Sequence, residues 1–430
     1  MVHQHLGQDF RRLWSFHRDP LKTLSQIARA QGPLASFHMG PWAFVLVSGG
    51  AQVHTLLNTH GKHLIKGPGM DANNPLIGRG PLVAEGDLWK MERLAIQPAF
   101  DHGRFADYGT WITQATRDYC HQVIRTKATT SDHDMLVLTM RVVLGTLFQG
   151  DASVSALQEM AQAVQTVMTY FYQRSRSVLR WPYTWRVPGT LPYHRAADRL
   201  QPWMAEFLQG PRKSLVAERL HQALPNDPDA VLQTALTLIM AGHETTGHAL
   251  FWTLLLLAAN PAVQARLQQE VDDQLRGQCP QISSLDRLPY LKAVILESLR
   301  LFPPVWLLSR SNPHPLTLEG ETFAPRTFFL VSPYVTHHLS SEFPNPDDFD
   351  PERWLQGDQE AYALAFLPFG KGPRSCIGRD FALLEMQLVI ASFVQALTLH
   401  PISGTSWRPV PRLSLLPPPG MRLTVSPRST

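Results

Sequence analysis

The sequence predicts a mainly helical fold with one small β region near its start. The longest helical pattern covers residues 229–260, and successive amphipathic helices are predicted across residues 105–165. Strand periodicity is clearest in a short pair, residues 35–39 and 43–47, around the turn Gly40-Pro41-Trp42. We therefore expect helices to form the core and a minor sheet to lie within about residues 30–60.

The composition indicates a chain with a large buried core. Of 430 residues, 44% are hydrophobic and only 17% are charged, against about 25% charged in typical soluble domains. The 35 prolines indicate many rigid connections. On length alone the chain is one large domain or two to three smaller ones, and it can enclose a cofactor.

Charge and cysteine content exclude several classes of protein. The net charge of +4 is mild and no run of Lys or Arg stands out, so nucleic-acid binding is not indicated. Cys120, Cys279 and Cys376 are far apart and odd in number, which favours a reducing cytoplasm over a disulfide framework. Residues 1–22 lack the apolar core of a signal peptide. The apolar run 249–259 is shorter than the ~20 residues of a membrane span, so we expect a soluble cytoplasmic protein without a transmembrane anchor.

The most informative segment is residues 369–378, which reads F-G-x-G-x-R-x-C-x-G. Cys376 stands in a glycine-rich turn before an apolar helical pattern, where the helix dipole favours a thiolate. Arg374 is well placed to meet an anionic group of a ligand. A single thiolate does not make a zinc or iron–sulfur site, but it suits a metal that carries its own equatorial ligands, as in haem. The alternative is a buried structural cysteine.

A polar motif interrupts the longest helical pattern: residues 241–246 read A-G-H-E-T-T. A carboxylate in an apolar helix is costly unless it has a role or a partner. Ala241 and Gly242 offer a wall without side-chain bulk, where a diatomic molecule could lie. Thr245 offers a hydroxyl and Glu244 a proton route. The alternative is a helix kink with a satisfied polar patch.

Two weaker patterns involve pairs of side chains. Trp89 and Arg93 are four residues apart and should share one helix face, from which both could reach a carboxylate; the alternative is a partly buried Trp beside a solvated Arg. His243 and His248 are five residues apart. That spacing is poor for joint metal ligation on a helix, so both are interpreted as ordinary helix residues.

These segments together resemble the cytochrome P450 family. Residues 369–378 match the family's haem-binding loop at every fixed position, and residues 241–246 match its oxygen-binding motif A-G-x-[D/E]-T-T in full. Three shorter segments follow the family's order, namely W-x-x-x-R at 89–93, E-x-x-R at 297–300 and P-E-R-W at 351–354, with Trp in place of the usual Phe.

The resemblance implies the cytochrome P450 fold, a triangular helical prism with haem between the long oxygen-binding helix and the cysteine-loop helix. It implies a single domain over residues 1–430 with a helical core at about 85–400 and no fused reductase. Glu297, Arg300 and Arg353 should form a buried structural charge network that holds the segment before the cysteine loop.

The resemblance also assigns the site residues around haem b, iron protoporphyrin IX. Cys376 is the axial ligand of the haem iron, Thr245 steadies the bound oxygen and Glu244 helps to deliver protons. The other expected haem-binding residues are Trp89, Arg93, Arg310, Arg374, Phe369, Gly370, Gly378, Ala241 and Gly242.

The implied reaction is O₂-dependent hydroxylation of a small hydrophobic substrate of the terpenoid, carotenoid or fatty acid class. Electrons should come from NAD(P)H through a separate ferredoxin or flavodoxin with its reductase, because no dinucleotide fingerprint precedes a helix. Lys371, Arg374 and Arg379 predict a positive docking face for that partner. The alternatives are a peroxide-driven haem-thiolate peroxygenase and a non-catalytic haem sensor or carrier. The pair of Glu244 and Thr245 argues against both.

Two further regions are expected to shape the substrate site. Residues 67–86, rich in Gly, Pro and Asn, resemble the family's loop beside the substrate pocket. Residues 165–195 mix aromatic side chains with arginines and resemble the lid over the access channel, the F–G region. A lid packed on the domain is the main interpretation. Transient contact with a membrane, which such side chains suit, is the alternative.

Overall fold

The computed structural model describes residues 13–39, 42–68, 73–177, 181–210, 214–356, 362–401 and 407–428. The chain forms two compact units, one from Met1–Met70 and Leu299–Cys376, the other from Asp71–Ser298 and Ile377–Thr430. The predicted assignment of the whole chain to a single domain stays a prediction. Gly40 and Pro41 of the expected turn lie outside the described residues.

The described helices, numbered in chain order, are α1 (Pro20–Gln31), α2 (Gly50–His54), α3 (Gly86–Ile96), α4 (Phe105–Thr126), α5 (Asp132–Leu147), α6 (Val154–Arg176), α7 (Leu191–Gln209), α8 (Leu215–Ala223), α9 (Pro228–Ala259), α10 (Pro261–Leu275), α11 (Ile282–Leu285), α12 (Pro289–Leu301), α13 (Pro333–His337) and α14 (Arg379–Ala396). Residues 13–18 are also helical, and a π-helical turn, Thr55–Thr59, continues α2.

The strands are short: β1 (Leu34–Met39), β2 (Trp42–Val47), β3 (Ile65–Lys66), β4 (Thr130–Ser131), β5 (Leu308–Ser311), β6 (Leu316–Leu318), β7 (Glu321–Phe323), β8 (Phe328–Val331), β9 (Leu397–Leu399), β10 (Val410–Pro411), β11 (Leu415–Leu416), β12 (Arg422–Leu423) and β13 (Val425–Pro427). The predicted helix at 229–260 and the predicted strand pair at 35–47 are both confirmed.

Helix ends follow local chemistry. The Asp227 carboxylate accepts a hydrogen bond from the backbone N–H of Ala230 at 3.0 Å, and Pro228 occupies the first turn of α9, where no N–H is required. Ser131 and Asp134 form a reciprocal capping box at the start of α5. These caps set the first residues of α9 and α5, two helices of the second unit that pack against each other.

The first unit is built on a five-stranded sheet of order β1-β2-β8-β5-β3. Strands β2 and β8 are parallel, and the other neighbours are antiparallel. Phe37, Phe44 and Phe328 lie side by side across three strands because the register pairs them in turn. Buried Val47 and Phe329 belong to the apolar cluster against which the sheet packs.

The second unit is helical, and α9 is its central element. Most of its side chains are buried, as expected of a helix that is apolar on nearly every side, and it packs against α5. A Cβ atom at Gly247 would lie 2.8 Å from the Leu136 Cδ2 and 3.2 Å from the Leu136 Cα. The absence of that side chain therefore permits the close approach of α5 and α9.

Among the described residues, no helix alone has the length and apolar character to cross a bilayer. The helices α9 and α10 meet that test only when taken together, and they are bent by 109° where they join. Length and composition are the only basis for that result.

We expect Gly247→Ala to lower the free energy of unfolding by about 1–3 kcal/mol, since overpacking against the α5 backbone outweighs the better helix propensity of Ala. Gly189→Ala is the matched control, because no atom lies within 4 Å of its Cβ position. Urea unfolding followed by circular dichroism measures both. Equal midpoints for the two variants would show that α5 and α9 tolerate the extra methyl group.

Candidate functional site

The cysteine loop depends on two glycines with left-handed backbone conformations. Gly370 has φ 65° and Gly372 has φ 73°, which other residues adopt only with strain. A Cβ atom at Gly372 would overlap the carbonyl oxygen of Leu57. The Cys376 N–H donates to the Phe369 carbonyl at 2.9 Å and closes the loop. The glycines are therefore required by the path of the backbone.

Cys376 is presented differently from the other cysteines. Its side chain is exposed, whereas Cys120 is buried and Cys279 is partly buried. Burial raises the pKa of the Cys120 thiol to about 12, so that group stays protonated. The described part of the chain contains no group of three His, Cys, Asp or Glu side chains that could hold a metal ion. The accessible donor is thus a single sulfur atom.

A buried histidine that no sequence motif marks, His337, holds the chain leading into the loop. The backbone N–H of Leu367 donates to His337 Nε2 at 3.0 Å. Since Nε2 accepts, the ring proton must be on Nδ1, which donates to the Arg300 carbonyl at 2.9 Å. Burial, followed by the charge of Arg300, lowers the pKa of His337 well below its usual value. The neutral ring therefore bridges the end of α12 and the approach to the loop.

Two arginines of the first unit fix the turn before that approach. Arg300 is fully buried and donates to the carbonyls of Pro346 at 2.7 Å and Asp348 at 2.9 Å. Arg353, only 7% exposed, donates to the Pro344 carbonyl at 3.0 Å. Both guanidinium groups are removed from water, and backbone carbonyls accept their hydrogen bonds instead, as a buried cation requires.

Arg310 lies in β5 and is also buried, with 7% of its surface exposed. Its guanidinium donates to the Ser309 carbonyl at 2.8 Å. Arg310 is therefore a buried strand residue and not one on the protein surface.

The remaining residues expected to bind haem differ in exposure. Phe369 is half-buried, and Arg374 is half-buried as well, at the end of the 3-10 turn Gly372–Arg374. In the second unit, Gly378 caps α14 and its missing Cβ would lie 3.3 Å from the Phe100 ring.

The polar motif of α9 has an open face and a buried face. Ala241 is exposed, and Gly242 and Thr245 are half-buried, in a helix that is otherwise mostly buried. Thr245 is four residues from Ala241 and three from Gly242, so its side chain shares one side of the helix with both. The Thr245 hydroxyl donates to the Ala241 carbonyl at 2.7 Å. The missing Cβ of Gly242 would lie 3.1 Å from Val143 Cγ2, so this glycine also lets α5 approach.

The opposite face of the motif carries buried charges. Glu244 Oε1 accepts a hydrogen bond from the Ser414 hydroxyl at 2.8 Å and lies 3.6 Å from His248 Nε2. His248 Nδ1 lies 2.7 Å from Asp132 Oδ1. Burial lowers the pKa of His248, but the Asp132 and Glu244 carboxylates outweigh it and raise the pKa to about 10. Burial raises the pKa of Glu244, but His248, Ser414 and His243 together outweigh it, so the pKa is lowered.

His248 is therefore not the ordinary helix residue that the sequence interpretation made it. The interpretation compared His243 with His248 and missed that Glu244 and His248 are four apart, a spacing that brings side chains together on a helix. The partner Asp132 lies on another helix, and no local pattern points to it.

A cavity of about 380 Å³ lies beside these charges in the second unit. Glu244 and His248 line it from α9, and its other walls include Gln165 and Tyr170 of α6 and Arg412 near β10. Amide, hydroxyl and charged groups make up part of the lining and could hold water there.

Trp89 and Arg93 lie on one face of α3, as their spacing predicts. The guanidinium carbon of Arg93 is 5.9 Å from the centre of the Trp89 ring, within cation–π range. Both side chains are half-buried. They can therefore act together on one ligand group.

The aromatic segment expected to form a lid packs partly on itself. Trp181 and Trp185 stack at 5.7 Å and are 40% and 51% exposed. The Arg174 guanidinium lies 4.0 Å from the Tyr183 ring centre. Arg180 of this segment lies outside the described residues. The contact of this lid with a membrane stays a prediction.

The cytochrome P450 family model matches residues 10–425. Two relatives come from Streptomyces melanosporofaciens. Cyclooctatin synthase is 30% identical over 424 residues, covering 96% of this chain and 92% of the relative. Cyclooctat-9-en-7-ol 5-monooxygenase is 32% identical over 407 residues, covering 92% of this chain and 87% of the relative. A zebra fish cytochrome P450 structure with abiraterone has a TM-score of 0.81 at 23% identity, covering 95% of this chain and 100% of that chain.

The chain belongs to the cytochrome P450 family and is a cytochrome P450 monooxygenase. The prediction of a mainly α fold of the P450 type with a small β region is confirmed. The family is a haem-thiolate family. The residues present fit haem, because the loop presents an exposed thiol, the single donor that suits a metal with its own equatorial ligands.

We expect His337→Leu to disturb the cysteine loop more than His338→Leu, its matched control. The first change strands the Leu367 N–H and the Arg300 carbonyl, each at a cost of about 1–3 kcal/mol. The His338 ring is buried as well but bonds only the Tyr334 carbonyl of its own helix. The reduced carbon monoxide spectrum should show a smaller thiolate-ligated fraction in His337→Leu. Equal spectra would remove His337 from the support of the loop.

Proposed function

We propose that this enzyme uses O₂ and two externally supplied electrons to hydroxylate a hydrophobic terpenoid. The observation that supports the substrate class is the similarity, over nearly the whole chain, to an enzyme whose name gives cyclooctat-9-en-7-ol as its substrate. The printed names of the two relatives from Streptomyces melanosporofaciens mention neither a carotenoid nor a fatty acid, the other classes that the sequence left open.

Haem bound through a cysteine thiolate supplies the chemistry of O₂ activation. Cys376 would hold the iron, and the glycines Gly370 and Gly378 would leave room at the ring. Arg310, Arg374, Arg93 and Trp89 carry the donors suited to the two propionates. Phe369, Ala241 and Gly242 would complete the contacts with the ring.

Thr245 and Glu244 have separate roles in this proposal. Thr245 presents a hydroxyl on the open face of α9, where it can hold a small oxygen ligand. Glu244 lies on the buried face beside the polar cavity and can pass protons inward. Their order along the helix, adjacent but on different faces, suits a proton path that crosses the helix.

A separate ferredoxin or flavodoxin with its reductase would supply the electrons from NAD(P)H. The docking role of the loop cations is less simple than their number suggested. Lys371 Nζ donates to the Ala363 carbonyl at 2.6 Å, and burial lowers its pKa. Arg379 pairs with Asp380 at 2.8 Å. The two-electron chemistry is the basis of the proposed partner, and the positive docking face of Lys371, Arg374 and Arg379 stays a prediction.

The decisive measurement is the carbon monoxide difference spectrum of the reduced protein. We expect a strongly red-shifted Soret band in the wild type and in Cys279→Ser, the matched control, and its loss in Cys376→His. A band at the histidine-ligated position in the wild type would overturn thiolate ligation. Product from peroxide alone would favour the peroxygenase, and haem binding without turnover would favour the sensor.

We expect Thr245→Ala to divert electrons from product to hydrogen peroxide or water, since the open face of α9 loses its hydroxyl. Thr110→Ala is the control, because Thr110 makes the same bond to the carbonyl four residues back on an exposed helix face. The ratio of product formed to NAD(P)H consumed measures the effect. An unchanged ratio in Thr245→Ala would remove Thr245 from the reaction.

A further inference from the structure

On the buried side of the α9 motif, the two carboxylate oxygens of Glu244 differ in their hydrogen bonding. Glu244 Oε1 receives the Ser414 hydroxyl and faces His248 Nε2. Glu244 Oε2 has no hydrogen-bond partner within the part of the chain that the structure describes. A buried carboxylate oxygen without a donor is costly, and bound water from the neighbouring cavity is the partner that would satisfy it.

His248 is held on its other side by an acid that reaches the surface. The ring is 1% exposed, and the side chain of Asp132 is 25% exposed. One buried imidazole between two carboxylates is favoured as an imidazolium, because its charge offsets both. Neutral imidazole would leave two carboxylates close together with one donor fewer.

The other titratable groups around this pair do not replace that charge. His243, next in the chain to Glu244, is buried, and burial lowers its pKa to about 4. Tyr193 of α7 lines the cavity, and burial raises its pKa. Tyr170 of α6 lines it as a hydroxyl, and Arg412 adds a cation at the cavity wall. His248 is the cation whose ring nitrogen faces the carboxylate of Glu244.

We propose that His248, clamped by Asp132, is a positioning residue that keeps Glu244 ionised and fixed beside the polar cavity. This inference rests on the proposed role of Glu244 as proton carrier. A carboxylate held in this way accepts a proton from cavity water and releases it on the side of Thr245, which returns it to its starting charge. Both ring protons of His248 stay in place, so no proton needs to pass through the imidazole.

The charge of His248 can be measured directly. Protein with ¹⁵N-labelled histidine, in the reduced carbon monoxide complex, is examined by NMR at pH 8, and His248→Gln identifies the signal. We expect both ring nitrogens of His248 to carry protons at pH 8. Asp132→Asn should make the ring neutral at this pH, and Asp132→Glu should keep the charge. A neutral His248 ring in the wild type at pH 8 would overturn the proposal.

The effect on the reaction has a defined sign. Without the imidazolium, the Ser414 hydrogen bond remains, but the strongest influence that opposes burial is lost. The pKa of Glu244 therefore rises, and the carboxyl is protonated to higher pH. In His248→Gln the acid limb of product yield per NAD(P)H should therefore move upward by about 1–3 pH units. A loss of yield that is the same at every pH would indicate a merely structural role and would contradict the clamp.

Two controls separate position from general damage. His102→Gln removes an exposed histidine that pairs with Asp380 at 3.3 Å, and it should leave the profile unchanged. In a Glu244→Gln background, His248→Gln should cause no further shift. If His248→Gln does not fold, Asp132→Asn carries the same test from the surface end of the pair.

The outcomes also separate this proposal from the proposed function. An imidazolium at pH 8 in a protein without the red-shifted carbon monoxide band would leave the clamp standing and remove thiolate chemistry. Product formation by a wild type whose His248 ring is neutral would leave the proposed function standing and would overturn the clamp.

Discussion

A buried guanidinium must find acceptors that replace water, and in the first unit the structure around the cysteine loop depends on how Arg300 does so. Its guanidinium donates hydrogen bonds to the carbonyls of Pro346 and Asp348, and these bonds fix the turn before the segment Pro351–Trp354. The Arg300 carbonyl accepts a hydrogen bond from Nδ1 of His337. Nε2 of the same ring accepts one from the backbone N–H of Leu367, two residues before Phe369. Loss of this one side chain would leave several backbone groups without partners at once.

In the second unit, the desolvation cost of buried charges is offset by pairing a carboxylate with an imidazole. Helix α9 is the most apolar long element, yet it carries Glu244 and His248 on one buried face. The carboxylate and the imidazole reduce each other's desolvation cost, and Asp132 and Ser414 complete the group from other elements. The buried ionisable side chains of α9, which are His243, Glu244 and His248, thus lie in one stretch of the helix.

Patterns with a period or a fixed spacing could be predicted from the sequence. The length and apolar character of α9, the strand pair β1 and β2 around its turn, and the glycine-rich loop around Cys376 were all predicted from local residue types. The charge network around Arg300 was predicted in outline from E-x-x-R, but its observed acceptors are backbone carbonyls, which no residue type records. Whether Glu297 shares in it stays a prediction, although that side chain is fully buried.

The contacts that could not be predicted join residues far apart in the chain. Ser414 and Glu244 are separated by 170 positions and Asp132 and His248 by 116, so the register of whole helices must be known before either contact can be seen. His337 carried no motif, because its role depends on one backbone N–H and one carbonyl. Burial and distance, rather than residue identity, make these side chains part of the site.

The bond from the Thr245 hydroxyl to the Ala241 carbonyl has a consequence for whatever approaches the open face of α9. A hydroxyl has one proton, and here the helix backbone already holds it at 2.7 Å. Toward the open face the side chain therefore offers only lone pairs. In this arrangement the Thr245 oxygen can accept a hydrogen bond from a donor such as water. An oxygen ligand that needs a donor can receive the Thr245 proton only after the hydroxyl rotates away from the Ala241 carbonyl.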